Sequence, residues 1–141
     1  MSNAFRALYR FWAALLFVDV LVQIGLAGYG VFFVDHKADQ TNAVTSHQFD
    51  HGFGPHIALG FLILIAGIVL FLFALVGRIG RRGVLLALSV PLLVLVADVL
   101  AITGSDTPAV GLFHPVVGFG IVALVGLLAH GAWAGRTAQT S

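Results

Sequence analysis

The chain has 141 residues, of which 60% are hydrophobic and 9% charged, with a mean hydropathy of +1.04. A soluble domain carries about 25% charged residues, so an ordinary water-soluble globule is excluded, and seven Lys and Arg set against six Asp exclude a nucleic-acid binder. With no cysteine, disulfides, iron–sulfur clusters, thiol catalysis and covalently attached c-type haem are excluded too.

Four apolar stretches each approach the roughly 20 residues that a helix needs to cross the hydrocarbon layer. The first, Phe11–Val34, is broken only by Asp19 and Gln23, and is too long and too polar at Asp19 for a cleaved signal peptide. A polar loop from about Asp35 to Gly52, with His36, His47 and His51, is expected next. The second stretch, Phe53–Val76, carries His56 near its start, and the short Arg78–Arg82 turn makes it an antiparallel neighbour of the third. That third stretch, Val84–Ile102, contains Ser89, Pro91 and Asp98, with a kink expected at Pro91. The fourth, Ala109–Ala134, contains His114 and His130. These elements predict an all-α protein, one transmembrane four-helix bundle spanning residues 1–141. Arg6, Arg10, Arg78, Arg81, Arg82 and Arg136 fall on one side and Lys37 alone on the other, so both termini are expected in the cytoplasm, as in a multi-pass prokaryotic plasma-membrane protein.

Residues 56–78 and 114–136 form a weak internal repeat, identical in eight of 23 columns, including His56/His114, Gly60/Gly118, Gly77/Gly135 and Arg78/Arg136. Two hairpins related by a pseudo-two-fold axis along the membrane normal account for it. Each histidine lies 22 residues before its arginine, so both imidazoles are expected at one height, roughly 33 Å from the arginine level. Diagonal helices of a bundle aim such side chains into one interior gap. Gly60 and Gly118, one turn deeper on the same faces, remove bulk where a flat macrocycle would lie, with Gly28, Gly30 and Gly104 at a similar level. The matching chemistry is a b-type haem whose iron takes His56 and His114 as axial ligands. Zinc or copper alone calls for a tighter set of three or four ligands. The plainer explanation is that the glycines serve close helix packing and the histidines are wet and structural.

The strings VQIGLAGYGVF (Val22–Phe32), FGPHIALGF (Phe53–Phe61) and LFHPVVGF (Leu112–Phe119), with the arginine turn, resemble a family of small four-span prokaryotic membrane proteins of unknown function. The layout also resembles one four-helix half of haem A synthase, whose halves carry haem-ligating histidines at the outer ends of their second and fourth helices. That resemblance implies His56 and His114 as the axial pair. The chain departs from it in having no glutamate and no second half, which leaves oxidation of a haem methyl group without support. Cytochrome b561 proteins are a looser likeness, since they hold two haems.

Asp98 is expected about 24 Å above Arg82, as a proton acceptor, as a partner for a ligand imidazole N–H, or as a neutral carboxyl bonded to serine or backbone. Asp19 and Gln23 share one helix face and are expected to bind helices together. His130 falls near the cytoplasmic interface as a wet residue, and Tyr9, Trp12 and Trp133 fit an aromatic belt. His36, His47 and His51 are expected to be solvated, with metal binding as the alternative; His51 is the one that could approach a haem propionate. No nucleophile–base pair, phosphate loop or paired carboxylate supports a hydrolase or transferase.

The reading is a one-haem electron carrier or subunit in preference to an independent enzyme, embedded in the lipid bilayer with a quinone or a larger respiratory complex as partner, haem handling being a variant of it. Two other classes remain: a cofactor-free accessory subunit of a larger membrane complex, and a small transporter or metal sensor built on Asp98 and the loop histidines.

Overall fold

A stretch this apolar satisfies its own backbone N–H and C=O groups as an α-helix, and the helices that contain Pro55 and Pro91 run on through those prolines. A computed structural model describes residues 2–41 and 43–137, the side chains of residues 2, 41 and 135–137 excepted, so that of Arg136 lies outside the described set. The helices are α1 (Ser2–Thr41), α2 (Ser46–Val76), α3 (Arg81–Asp106), the single-turn α4 (Pro108–Gly111) and α5 (Phe113–Thr137); no strand occurs among the described residues. Four helical stretches are long and apolar enough to cross a membrane.

The helices pack in a ring, α1 on α2, α2 on α3, α3 on α5 and α5 back on α1, which leaves α2 and α5 diagonal to each other. Small residues line the seams, with Ala13, Ala74 and Ala87 fully buried and Gly67 set against the backbone of Pro91. Close approach through small side chains is the packing mode available where lipid is as apolar as the core. Leu16, Leu70, Val90 and Val125 fill the centre, while Phe11, Phe32, Phe61, Ile102, Phe119 and Leu127 are among the large apolar side chains turned outward.

Three expectations are corrected. The polar loop at 35–52 is not a loop. Asp35, His36, Lys37 and Asp39 continue α1, supported by Gln40 bonded to both Lys37 and His36. His47, Asp50 and His51 already belong to α2, which starts at a capping box in which Thr45 Oγ1 accepts from Gln48 N and Gln48 Oε1 accepts from Thr45 N. The fourth apolar stretch is two helices, interrupted at Leu112, with Pro108 and Pro115 each in the first turn of its helix, where a missing N–H breaks no intrahelical bond; Pro55 and Pro91, by contrast, lie inside α2 and α3. Tyr9 and Trp12 form no belt. Tyr9 is buried, and Trp12 donates its indole N–H to the Ala66 carbonyl at 2.8 Å, joining α1 to α2. Trp133 meets Phe11 edge to face at 5.4 Å.

The turn after α2 is tight, with Arg78 at φ 51° and Gly80 at φ 90°; only glycine adopts the second without strain. It makes α2 and α3 antiparallel neighbours, as the spacing predicts. The two histidine-bearing helices are not equivalent in their beginnings: His56 lies ten residues past the first residue of α2, His114 one residue past that of α5.

Candidate functional site

The buried core ends in a layer of Val20, Ile63, Val94, Ala97 and Ile121, and above that layer the four long helices enclose a cavity of about 190 Å³. His56, Asp98 and His114 are its ionisable residues, and Gln23, Gly60 and Gly118 also line it. The liners from α2 and α3 are buried or half-buried, whereas Ile24 of α1 and Pro115 and Phe119 of α5 are exposed. The cavity therefore opens sideways between α1 and α5.

His56 and His114 come together across the diagonal, their ring centroids 6.2 Å apart and their planes at 73°. Each ring is held from behind. His56 Nδ1 lies 3.1 Å from the Gln23 carbonyl oxygen, and His114 Nδ1 lies 2.8 Å from that of Ala97. A backbone carbonyl only accepts, so both Nδ1 atoms carry the proton and donate, and each neutral ring keeps its lone pair on Nε2. Two fixed rings with free Nε2 lone pairs form a donor set for a metal that takes imidazole. A metal–imidazole bond is about 2 Å long and the ring centre lies about 1 Å behind the nitrogen, so one metal between two facing imidazoles holds their centres roughly 6 Å apart. The centroid separation of 6.2 Å matches that length, and it is equally the separation of two rings packed edge to face.

Gln23 contributes a second link to α2, its Nε2 donating to the His56 carbonyl at 2.9 Å, while its own Oε1 is buried with no partner. Glutamine as a bond between helices is as expected; its backbone carbonyl as an orienter of His56 is not. Nor does any feature of the sequence announce the Ala97 carbonyl, since every residue carries one. Asp98 does not take the imidazole N–H, because backbone has taken it, nor does it bond serine: Ser89 Oγ donates to Leu85 O. Its carboxyl faces the cavity with no hydrogen bond among the described residues. Asp19 does not line the cavity.

The glycines divide. A Cβ on Gly118 would meet nothing within 4 Å. At Gly60 it would meet the Gln23 amide at 3.2 Å, so that clearance is already filled. Gly30 is packed under the Phe53 ring and Gly104 against the Gly111 backbone, so these two are packing glycines; Gly28 is open but lies outside the cavity wall. Pockets that enclose a drug-sized ligand run to roughly 300–1,000 Å³, so a macrocycle between the rings fits only with an edge projecting through the α1–α5 opening.

The remaining histidines stand apart from this site. His36 bonds Gln40, His51 packs on Phe33 with ring centroids 5.2 Å apart, and His47 and His130 are exposed. No group of three or more His, Cys, Asp or Glu able to hold a metal ion occurs among the described residues. Comparison with family models, curated proteins and solved structures finds no match, so the likeness to half of haem A synthase rests on the residues that suggested it.

Proposed function

We propose that the protein is a membrane b-type cytochrome that binds one haem through His56 and His114, near the outer face of a prokaryotic plasma membrane with both termini cytoplasmic. The observation that carries this reading is the meeting of two imidazoles from diagonal helices, their centroids 6.2 Å apart, each with Nδ1 bonded to a backbone carbonyl. When bound, the haem supplies a one-electron ferric/ferrous couple. The chain's own residues do the positioning: the Gln23 and Ala97 carbonyls fix the two rings, Gly118 leaves space beside the His114 face, and the apolar walls exclude water. The physiological role is electron transfer with a quinone or a larger respiratory complex, or handling of the haem itself, and the protein acts as a carrier and not as an independent enzyme.

The small enclosed volume favours a second reading, a cofactor-free accessory subunit in which the two rings simply pack edge to face. For a transporter or metal sensor the described residues offer no group of three or more metal-binding side chains. The deciding experiment is the absorption spectrum of detergent-solubilised protein from haem-replete cells, oxidised and then dithionite-reduced, alongside His56→Ala and His114→Ala. A sharp low-spin reduced spectrum lost in both variants is the expected result. Colourless wild-type protein overturns the cytochrome and leaves the accessory subunit.

A further inference from the structure

The opposite end of the bundle holds a second concavity, independent of the histidine site. A crevice of about 810 Å³ lies between the start of α1, the α2–α3 turn and the end of α5. Arg6, Arg10, Arg78 and Arg82 line it, and no carboxylate is nearby in sequence to answer them: no Asp or Glu occurs in residues 1–18, 51–97 or 107–141. Four guanidinium groups lining one crevice, with no carboxylate among its described lining residues, repel one another unless an anion joins them. Arg6 is partly committed, its Nε donating to the Gly77 carbonyl at 2.9 Å. Arg10 is not: its Nε is buried and has no hydrogen-bond partner. A desolvated, unpaired N–H on a cation is among the most costly groups to leave unsatisfied.

The rest of the wall is apolar. Leu86 and Leu127 line the same crevice, and Leu127 is 70% exposed, so the surface runs without interruption from the arginines onto the lipid-facing side of α5. Arginine forks match phosphate oxygens in pairs, and basic pockets between transmembrane helices suit anionic headgroups. We infer that this crevice binds an acidic phospholipid, its phosphodiester between Arg10 and Arg82 and an acyl chain along Leu127. A free phosphate satisfies the arginines but leaves the apolar wall unused.

The test measures thermal unfolding of the detergent-solubilised full chain with phosphatidylglycerol, phosphatidylcholine or inorganic phosphate added. Phosphatidylglycerol is expected to raise Tm by about 5 °C, with no shift from the other two, and the R10Q/R82Q double variant is expected to lose that shift while keeping the wild-type circular dichroism. Equal shifts from both lipids, or an undiminished shift in the variant, overturn the inference. A full shift from inorganic phosphate overturns the lipid in favour of a small anion. Should the variant not fold, native mass spectrometry of the wild type decides, and retention of phosphatidylcholine as readily as phosphatidylglycerol overturns the inference.

Discussion

Gln23→Met separates two opposing effects at the cavity. The substitution removes the Nε2 bond to the His56 carbonyl, 2.9 Å long. Interhelical hydrogen bonds of this kind in membranes contribute about 0.6 kcal/mol on average and about 1.7 at most. The His56 carbonyl is not orphaned by the loss, because it lies inside α2 and still accepts from its own helix. Against this, the substitution deletes Gln23 Oε1, a buried acceptor with no partner, and such a group costs about 1–3 kcal/mol. Methionine has nearly the same length and volume, so no void opens. The gain exceeds the loss, and the variant is expected to be more stable than wild type by about 1 kcal/mol. Reversible unfolding in mixed micelles, followed by circular dichroism, measures this directly. Orientation of His56 should survive, because its Nδ1 bonds the backbone of residue 23 and not the side chain. A variant destabilised by more than about 1 kcal/mol refutes the reasoning, since Oε1 must then be making a bond worth more than its burial costs.

Gly118→Leu extends a side chain into open space and is expected to leave the circular dichroism unchanged while abolishing any haem absorbance; Gly104→Val, set against the Gly111 backbone, is expected to lower the melting temperature sharply. Coloured Gly118→Leu protein with a normal spectrum contradicts the placement of the macrocycle. Leu70→Ala, at a fully buried position, is expected to cost about 2 kcal/mol by leaving a void, whereas Leu72→Ala, on the lipid-facing side, is expected to cost under about 0.5; similar losses in both deny that Leu70 is core. Thr45→Ala removes the capping box and is expected to cost about 1 kcal/mol, seen as faster amide exchange at Gln48; unchanged exchange means that the cap does not hold α2.

The four long apolar spans and the neighbour relation of the two central helices were legible because apolar length and the short arginine turn leave few alternatives. The extent of the first two helices was not. Polarity at Asp35–Gly52 reads as loop when helices are found by hydropathy, but the segment lacks proline, and its only glycine is Gly52 at the end, so most of it is free to be helical. Thr45 with Gln48 was the local signal that places the true break. At the site, equal spacing from the arginines pointed to His56 and His114, and the structure brings those two rings together. What holds them is invisible in any residue pattern, since carbonyls of Gln23 and Ala97 do the work. The glycine argument was half right in physical terms, because absence of a side chain does not say whether a neighbour, such as Phe53 over Gly30, already occupies the space.

The diagonal relation of α2 and α5 has a thermodynamic corollary. Their backbones do not approach each other across the ring, although the His56 and His114 side chains meet there edge to face, so a molecule that grips both imidazoles braces two helices otherwise joined through α1 and α3. Such a brace stabilises the assembled state alone, by about 1.4 kcal/mol for every tenfold excess over its dissociation constant. Chains that have acquired it persist, and chains that have not remain loosest along the α1–α5 seam, where the cavity already opens. On the proposed haem reading, proteolysis of the unbraced form is expected to make cellular abundance follow haem supply.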